Sequence, residues 1–126
     1  MDIFDEEWLA AATTALGGLP EVDGATAVID YVVAGSPSGK ATIGVTLENG
    51  RVTAMQTGKS TDPDLVISLK YDAAVKVLTG ELSSDAGFMN GALKVEGAHE
   101  RWMLDLRPTR VAAIEALAEV MANTTT

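Results

Sequence analysis

Leu78-Thr-Gly-Glu-Leu-Ser-Ser-Asp-Ala-Gly-Phe-Met-Asn-Gly-Ala-Leu-Lys-Val-Glu-Gly97 is the most informative stretch of this chain. Gly80 ends a helix, a short apolar turn carries Phe88 and Met89, and Asn90-Gly91 leads into a strand. The stretch contains no nucleophile, metal-ligand set or phosphate cradle. Its content is apolar shape. That points to a protein that holds something hydrophobic rather than one that makes or breaks bonds.

Working outward, Tyr71 to Leu78 reads as a short helix with Ala74, Val75 and Leu78 as its buried stripe. Ala92 to Glu96 reads as a strand, with Leu93 and Val95 turned one way and Lys94 and Glu96 the other. Upstream the period is alternating. Thr26 to Ala34 is rich in Val and Ile and predicts a strand. Gly35 to Gly39 is a turn. Lys40 to Glu48 places Ile43, Val45 and Leu47 on one face. Asn49-Gly50 is a strong two-residue hairpin signal, because both residues tolerate positive φ. Arg51 to Thr57 is the return strand, with Val52 and Ala54 on one face. A loop through Asp62-Pro63-Asp64 leads to Leu65 to Lys70, a fourth strand, and these four are expected in hairpin connection.

The flanks are helical. Asp2 to Leu16 carries Phe4, Trp8, Ala12 and Leu16 at helical spacing, with Asp5 as N-cap and Gly17-Gly18 as the stop. Ala98 to Leu106 is expected to turn Trp102, Met103 and Leu106 inward. Pro108 suits the first turn of a last helix reaching about Ala122, with Val111, Ile114, Leu117 and Met121 at steps of three and four. Strands bunched between helices predict an α+β fold: a five-stranded, mainly antiparallel sheet with helices packed on one face.

Composition narrows the function. With 126 residues, 47% of them hydrophobic and 21% charged, the chain suits one globular domain spanning residues 1–126. Six aromatic side chains leave the packing to Ala, Val, Leu and Met. A net charge of −9 argues against a nucleic-acid partner and against tight docking on anionic lipid, so membrane contact is at most transient. Arg101, Arg107 and Arg110 are expected to pair with Glu100 and Asp105 on a solvated helix face. Cysteine is absent, which rules out disulfides and thiolate chemistry. The acidic start, Met-Asp-Ile-Phe-Asp-Glu-Glu, does not read as a secretory leader, and a cytoplasmic location is expected.

Chemistry-bearing residues are sparse. His99 is the lone histidine and reads as a surface or helix-end residue. No metal site and no cofactor are expected, since nitrogen and sulfur ligands are too few. Gly35-Ser-Pro-Ser-Gly-Lys-Ala-Thr42 has one spacer too few for a phosphate loop and is followed by a strand, so a hairpin turn explains it better. Asp62 and Asp64 sit in a loop, where solvation accounts for them. Met55, Met89, Met103 and Met121 suit an adaptable interior, as core filler or as the wall of a deformable cavity.

The run from Pro63 to Gly97 resembles the sterol carrier protein type 2 lipid-binding domain family. Phe88, Met89, Gly91, Leu93, Lys94, Val95 and Gly97 match its pattern position by position, and a looser match reaches back to about Gly24. The family-like region is thus about 24–106, with a helix over 2–16 before it and another over about 108–122. The resemblance implies an apolar tunnel between sheet and helices. It also implies a non-enzymatic carrier of a sterol, fatty acid or fatty acyl-CoA. The alternative is an accessory domain that shields a substrate or docks on a partner enzyme, and a homodimer stays open. The family's Ser or Thr before the helix near Tyr71 is replaced by Lys70-Tyr71, so the cap of that helix is expected to come from elsewhere or to be weak. The cavity wall is expected from Val45, Leu47, Val52, Phe88, Met89, Leu93, Met103, Leu106, Leu117 and Met121. On that expectation, Leu93→Asp abolishes lipid uptake or the fold together, while Met103→Trp fills the cavity and spares the fold.

Overall fold

The structure is a computed structural model that describes residues 2–37 and 39–125. Ser38, inside the expected Gly35–Gly39 turn, lies outside the described residues. Helix α1 (Glu6–Gly17) leads into strands β1 (Ala27–Ser36), β2 (Gly39–Glu48), β3 (Arg51–Thr57) and β4 (Leu65–Lys70). Helices α2 (Tyr71–Leu78) and α3 (Ser84–Met89), strand β5 (Leu93–Gly97), a π-helical turn (Arg101–Asp105) and helix α4 (Arg107–Ala122) follow.

Several of these elements arise from local chemistry. The Asp5 carboxylate accepts the Trp8 N–H at 2.7 Å, capping α1. That bond, more than any other contact, holds the Asp5 carboxyl below the ordinary aspartate range. The helix therefore starts at Glu6 rather than Asp2. Asn49 and Gly50 take φ of 49° and 88°, the positive pair that a tight hairpin between β2 and β3 needs. Lys70 gives α2 no side-chain cap, as its sequence implies. The apolar turn expected at Phe88-Met89 is instead the end of α3, which Ser83 starts by accepting the Ala86 N–H at 3.1 Å.

The five strands form one sheet in the order β3-β2-β1-β4-β5. Neighbours are antiparallel except β1 and β4, which are parallel. This corrects the expectation of four strands in hairpin connection. After β3 the chain crosses to the far side of β1 instead of turning back beside β3. The crossing runs over the face away from the helices, and Asp30 anchors it. Asp30 points opposite to Ile29 and Tyr31, is 3% exposed, and accepts the Ser60 N–H at 3.0 Å and the Ser60 hydroxyl at 2.6 Å. Asp64 then docks on β1, its carboxylate accepting the Val28 N–H at 2.8 Å and its own N–H donating to the Val28 carbonyl at 2.8 Å. These contacts place β4 beside β1. Asp30→Ala leaves the Ser60 donors without their acceptor and is expected to lower stability by about 2–3 kcal/mol. A shift of the urea midpoint at unchanged slope would show this.

A second correction concerns β3. Leu47 pairs with Val52 and Thr46 with Ala54, so Thr53 is an extra residue in a bulge. Beyond the bulge the faces exchange: Ala54 is exposed and Met55 turns inward. The main core lies between the sheet and the helices, built on Ile29, Leu65, Ile67, Trp102 and Leu106.

Candidate functional site

The helix-facing side of the sheet follows from strand alternation. Ile29, Tyr31 and Val33 of β1 stand beside Ile43 and Val45 of β2 and Ile67 and Leu69 of β4, in register. Over them lie Trp8 and Leu16 of α1, Ala74, Val77 and Leu78 around α2, and Ala113, Ile114 and Leu117 of α4. The two layers do not close. Between them runs a cavity of about 170 Å³ whose wall is almost wholly apolar. Its physical origin is legible in α4, which turns Ala112, Ala113 and Ala116 toward the core where longer side chains would fill the space.

Size sets what the cavity can do. An apolar cavity near 150 Å³ takes one benzene ring. A long acyl chain or a sterol needs more room, so the helices must yield when such a molecule enters. Methionine and alanine contacts yield more readily than interlocked aromatic ones. Met55 sits in the wall.

Of the residues expected from the sequence, the structure brings Val45, Leu47, Val52, Leu93, Leu106 and Leu117 together around the cavity. Phe88 packs against Trp102, with ring centroids 5.4 Å apart, behind the wall rather than in it. Met121 is buried in the core without facing the cavity. Met89 is 85% exposed and Met103 is 45% exposed. The π-helical turn explains Met103. Its Leu106 N–H to Arg101 carbonyl bond, 2.9 Å long, widens the helix and leaves Trp102 and Leu106 inside with Met103 and Leu104 outside. Met103→Trp therefore alters the surface, and the filling substitution belongs on Ala113. Val111 is exposed as well, one position off the inward stripe of α4.

The arginines also pair otherwise than expected. Arg101 meets Asp64 at 3.3 Å, while Arg107 and Arg110 share Asp85 at 2.8 and 3.0 Å. The Arg107 hydrogen bond, opposed by slight burial and aided by Arg110, holds the Asp85 carboxyl below the usual aspartate range. His99 is exposed. Wall residues that the sequence reading missed include Trp8, Tyr31, Val77 and Arg110. Strand alternation would have found Tyr31, two residues from Ile29 and from Val33. Arg110 stands at helical spacing from Leu106, Ile114 and Leu117, but a charged residue there reads as solvated.

Motif glycines serve the site by letting neighbours approach. A Cβ on Gly87 would lie 2.5 Å from Leu93 Cδ1, so α3 packs directly on the start of β5. Leu93 is thereby held against the cavity.

A mainly antiparallel five-stranded sheet, with helices spaced off one face by an apolar cavity, defines a class of small α+β domains. The chain belongs to the SCP-2 sterol transfer family, whose model matches residues 6–104. No curated protein sequence matches it. Among solved structures it is similar to a conserved hypothetical protein, possibly a sterol carrier protein, of Thermus thermophilus, at TM-score 0.75 and 17% identity over 95% of this chain and 90% of that one. It is similar to a sterol carrier protein 2 crystal structure, at TM-score 0.70 and 18% identity over 98% and 100%. It is also similar to palmitated sterol carrier protein 2-like 2 of Aedes aegypti, at TM-score 0.57 and 16% identity over 95% and 93%. At these identities the likeness is one of fold. Among the described residues no helix is long and apolar enough to cross a membrane.

Proposed function

We propose that this protein binds a hydrophobic molecule between its sheet and its helices and carries it, making and breaking no bond. The observation that supports this reading is the apolar cavity itself, in a chain of the SCP-2 sterol transfer family. The mechanism is burial. Each methylene moved from water into an apolar site contributes about 0.8 kcal/mol. A guest that filled only the existing cavity of about 170 Å³ would bury about six carbons. That is about 5 kcal/mol gross, most of which association entropy offsets. A chain of about sixteen carbons offers about 13 kcal/mol gross, enough for micromolar binding after the helices have moved. Long apolar molecules are therefore favoured over short ones by length alone. The reading places the carrier in the cytoplasm, where a net charge of −9 keeps it soluble.

The experiment is extraction of the purified protein with organic solvent, followed by mass spectrometry of the extract. A long-chain hydrophobic molecule near one per protein is the expected result. A protein that emerges empty, takes up no hydrophobic compound and instead retains an enzyme would contradict the carrier and favour an accessory domain.

A further inference from the structure

The sheet face turned away from the helices is only partly covered. The crossing segment closes over Asp30, where Ser60 binds it, and leaves a second, open cleft of about 650 Å³ farther along the same strands. Val32 and Ala34 of β1 and Ser68 of β4 lie in its floor, and Ala92 and Leu82 add apolar surface. One face of α2, with Asp72, Ala73 and Lys76, forms a wall. The opposite face of that helix lines the apolar cavity, so the two spaces are separate.

Three of the chain's five lysines stand around this cleft. Lys70 ends β4, Lys76 lies on α2 and Lys94 on β5. All three are exposed, and none has an ion-pair partner among the described residues. Asp72 is the one carboxylate in the lining, and one of its oxygens accepts the Ala73 N–H at 3.0 Å. Lys70 is also the N-cap residue of α2 and gives it no side-chain acceptor, so the positive end of that helix adds to the ammonium groups. A chain of net charge −9 thus gathers positive charge at one recessed place.

Strand register sets the spacing. Ser68 pairs with Lys94 across β4 and β5, and Lys70 stands two residues beyond Ser68 on the same face. Lys70 and Lys94 are therefore diagonal neighbours, about 7–8 Å apart along the sheet. Alternate side chains of an extended chain repeat at about 6.6 Å, close to that separation.

We propose that this cleft docks an extended acidic segment of a protein partner, whose carboxylates at alternate positions meet Lys70 and Lys94 while Lys76 adds to the attraction. Charges farther off than about 8 Å are screened at physiological salt. A short segment in the cleft therefore meets mainly the lysines, whereas a lipid or nucleic-acid surface also meets the acidic remainder of the chain. A single phosphate calls for donors converging on one point, and two lysines set apart on a diagonal suit two charges instead. The surface goes beyond the carrier reading and stands whether or not the cavity holds cargo.

The test is fluorescence anisotropy of short labelled peptides with the full chain at about 0.15 M salt. One peptide alternates glutamate with valine, a second has glutamine for each glutamate, and a third gathers the same glutamates into a block. The alternating glutamate peptide is expected to bind about tenfold more tightly than the glutamine peptide, and more tightly than the block. Lys70→Gln and Lys94→Gln should each weaken it at least threefold, while Lys40→Gln, the same charge change outside the cleft, should leave it unaltered. These side chains are exposed, so the substitutions spare the fold. Equal binding of the glutamate and glutamine peptides overturns the proposal. So does an equal loss in Lys40→Gln and Lys94→Gln, since net charge and not the cleft would then set the affinity. Binding of the block as tight as that of the alternating peptide overturns the extended register. Release of the peptide by inorganic phosphate, at an ionic strength where sodium chloride leaves it bound, would assign the cleft to a small anion. Tighter binding to phosphatidylglycerol vesicles, lost in Lys94→Gln, would assign it to a lipid surface, and either result overturns the protein partner.

Discussion

Ala113→Phe is expected to weaken binding of a long-chain fatty acid by about a hundredfold or more while leaving the melting temperature unchanged or slightly raised. Ala113 faces the cavity from α4. The substitution adds one benzene ring, and a cavity of about 170 Å³ takes such a ring with little to spare. A ligand would then lose the space for about six carbons, about 5 kcal/mol of gross apolar burial, part of which remaining contacts recover. A hundredfold loss needs only about 2.7 kcal/mol of it. The added ring buries its own apolar surface, which offsets the strain of a tight fit. Displacement of a fluorescent fatty acid and a thermal melt on the same sample check both parts. Unchanged affinity would mean that the ligand sits elsewhere.

Gly97→Ala is expected to act on the fold instead, lowering stability by about 4 kcal/mol and the melting temperature by about 15 °C. Gly97 has φ of 103°, beyond the left-handed region that other residues tolerate. A Cβ there would overlap the Asp64 backbone oxygen and lie 3.2 Å from the Asp64 carbonyl carbon. Neither partner can move aside easily. The Asp64 carbonyl accepts the Ala98 N–H at 3.1 Å, its N–H and carboxylate are tied to Val28, and its carboxylate also meets Arg101. The last glycine of the quoted stretch therefore lets the end of β5 pass the start of β4. Circular dichroism melting checks the prediction, and a variant within about 3 °C of wild type would contradict it.

These two positions also show what a sequence discloses. Gly97 closes a run whose residue types match a known pattern, so its importance was visible, but the Asp64 oxygen that requires it was not. Elements with local causes were legible: the Asp5 cap, the Asn49-Gly50 turn, the alternation of Ile43, Val45 and Leu47, and the start of α4 near Pro108. Features decided by distant contacts were not. The parallel pairing of β4 with β1 depends on Asp30 holding Ser60 and on Asp64 docking at Val28, partners more than twenty residues away in sequence. The bulge at Thr53 exchanged Ala54 for Met55, because alternation counts residues and a bulge adds one. Met103 was misplaced because helical spacing assumes an α-helix, and the chain there makes a π turn. Arg110 was hidden for another reason. Periodicity treats a charged helix position as solvated, whereas this one is covered by Trp102 and held by Asp85 and Ser84.

The most direct measurement is a methyl NMR titration of the isotope-labelled protein with a long-chain fatty acid. The account predicts saturable, one-to-one shifts at the methyls of Ile43, Val45, Leu93 and Leu117, with those of exposed Met89 and Leu104 little changed. Shifts confined to Met89, Met103 and Leu104, or no saturable shift at the wall, would contradict it.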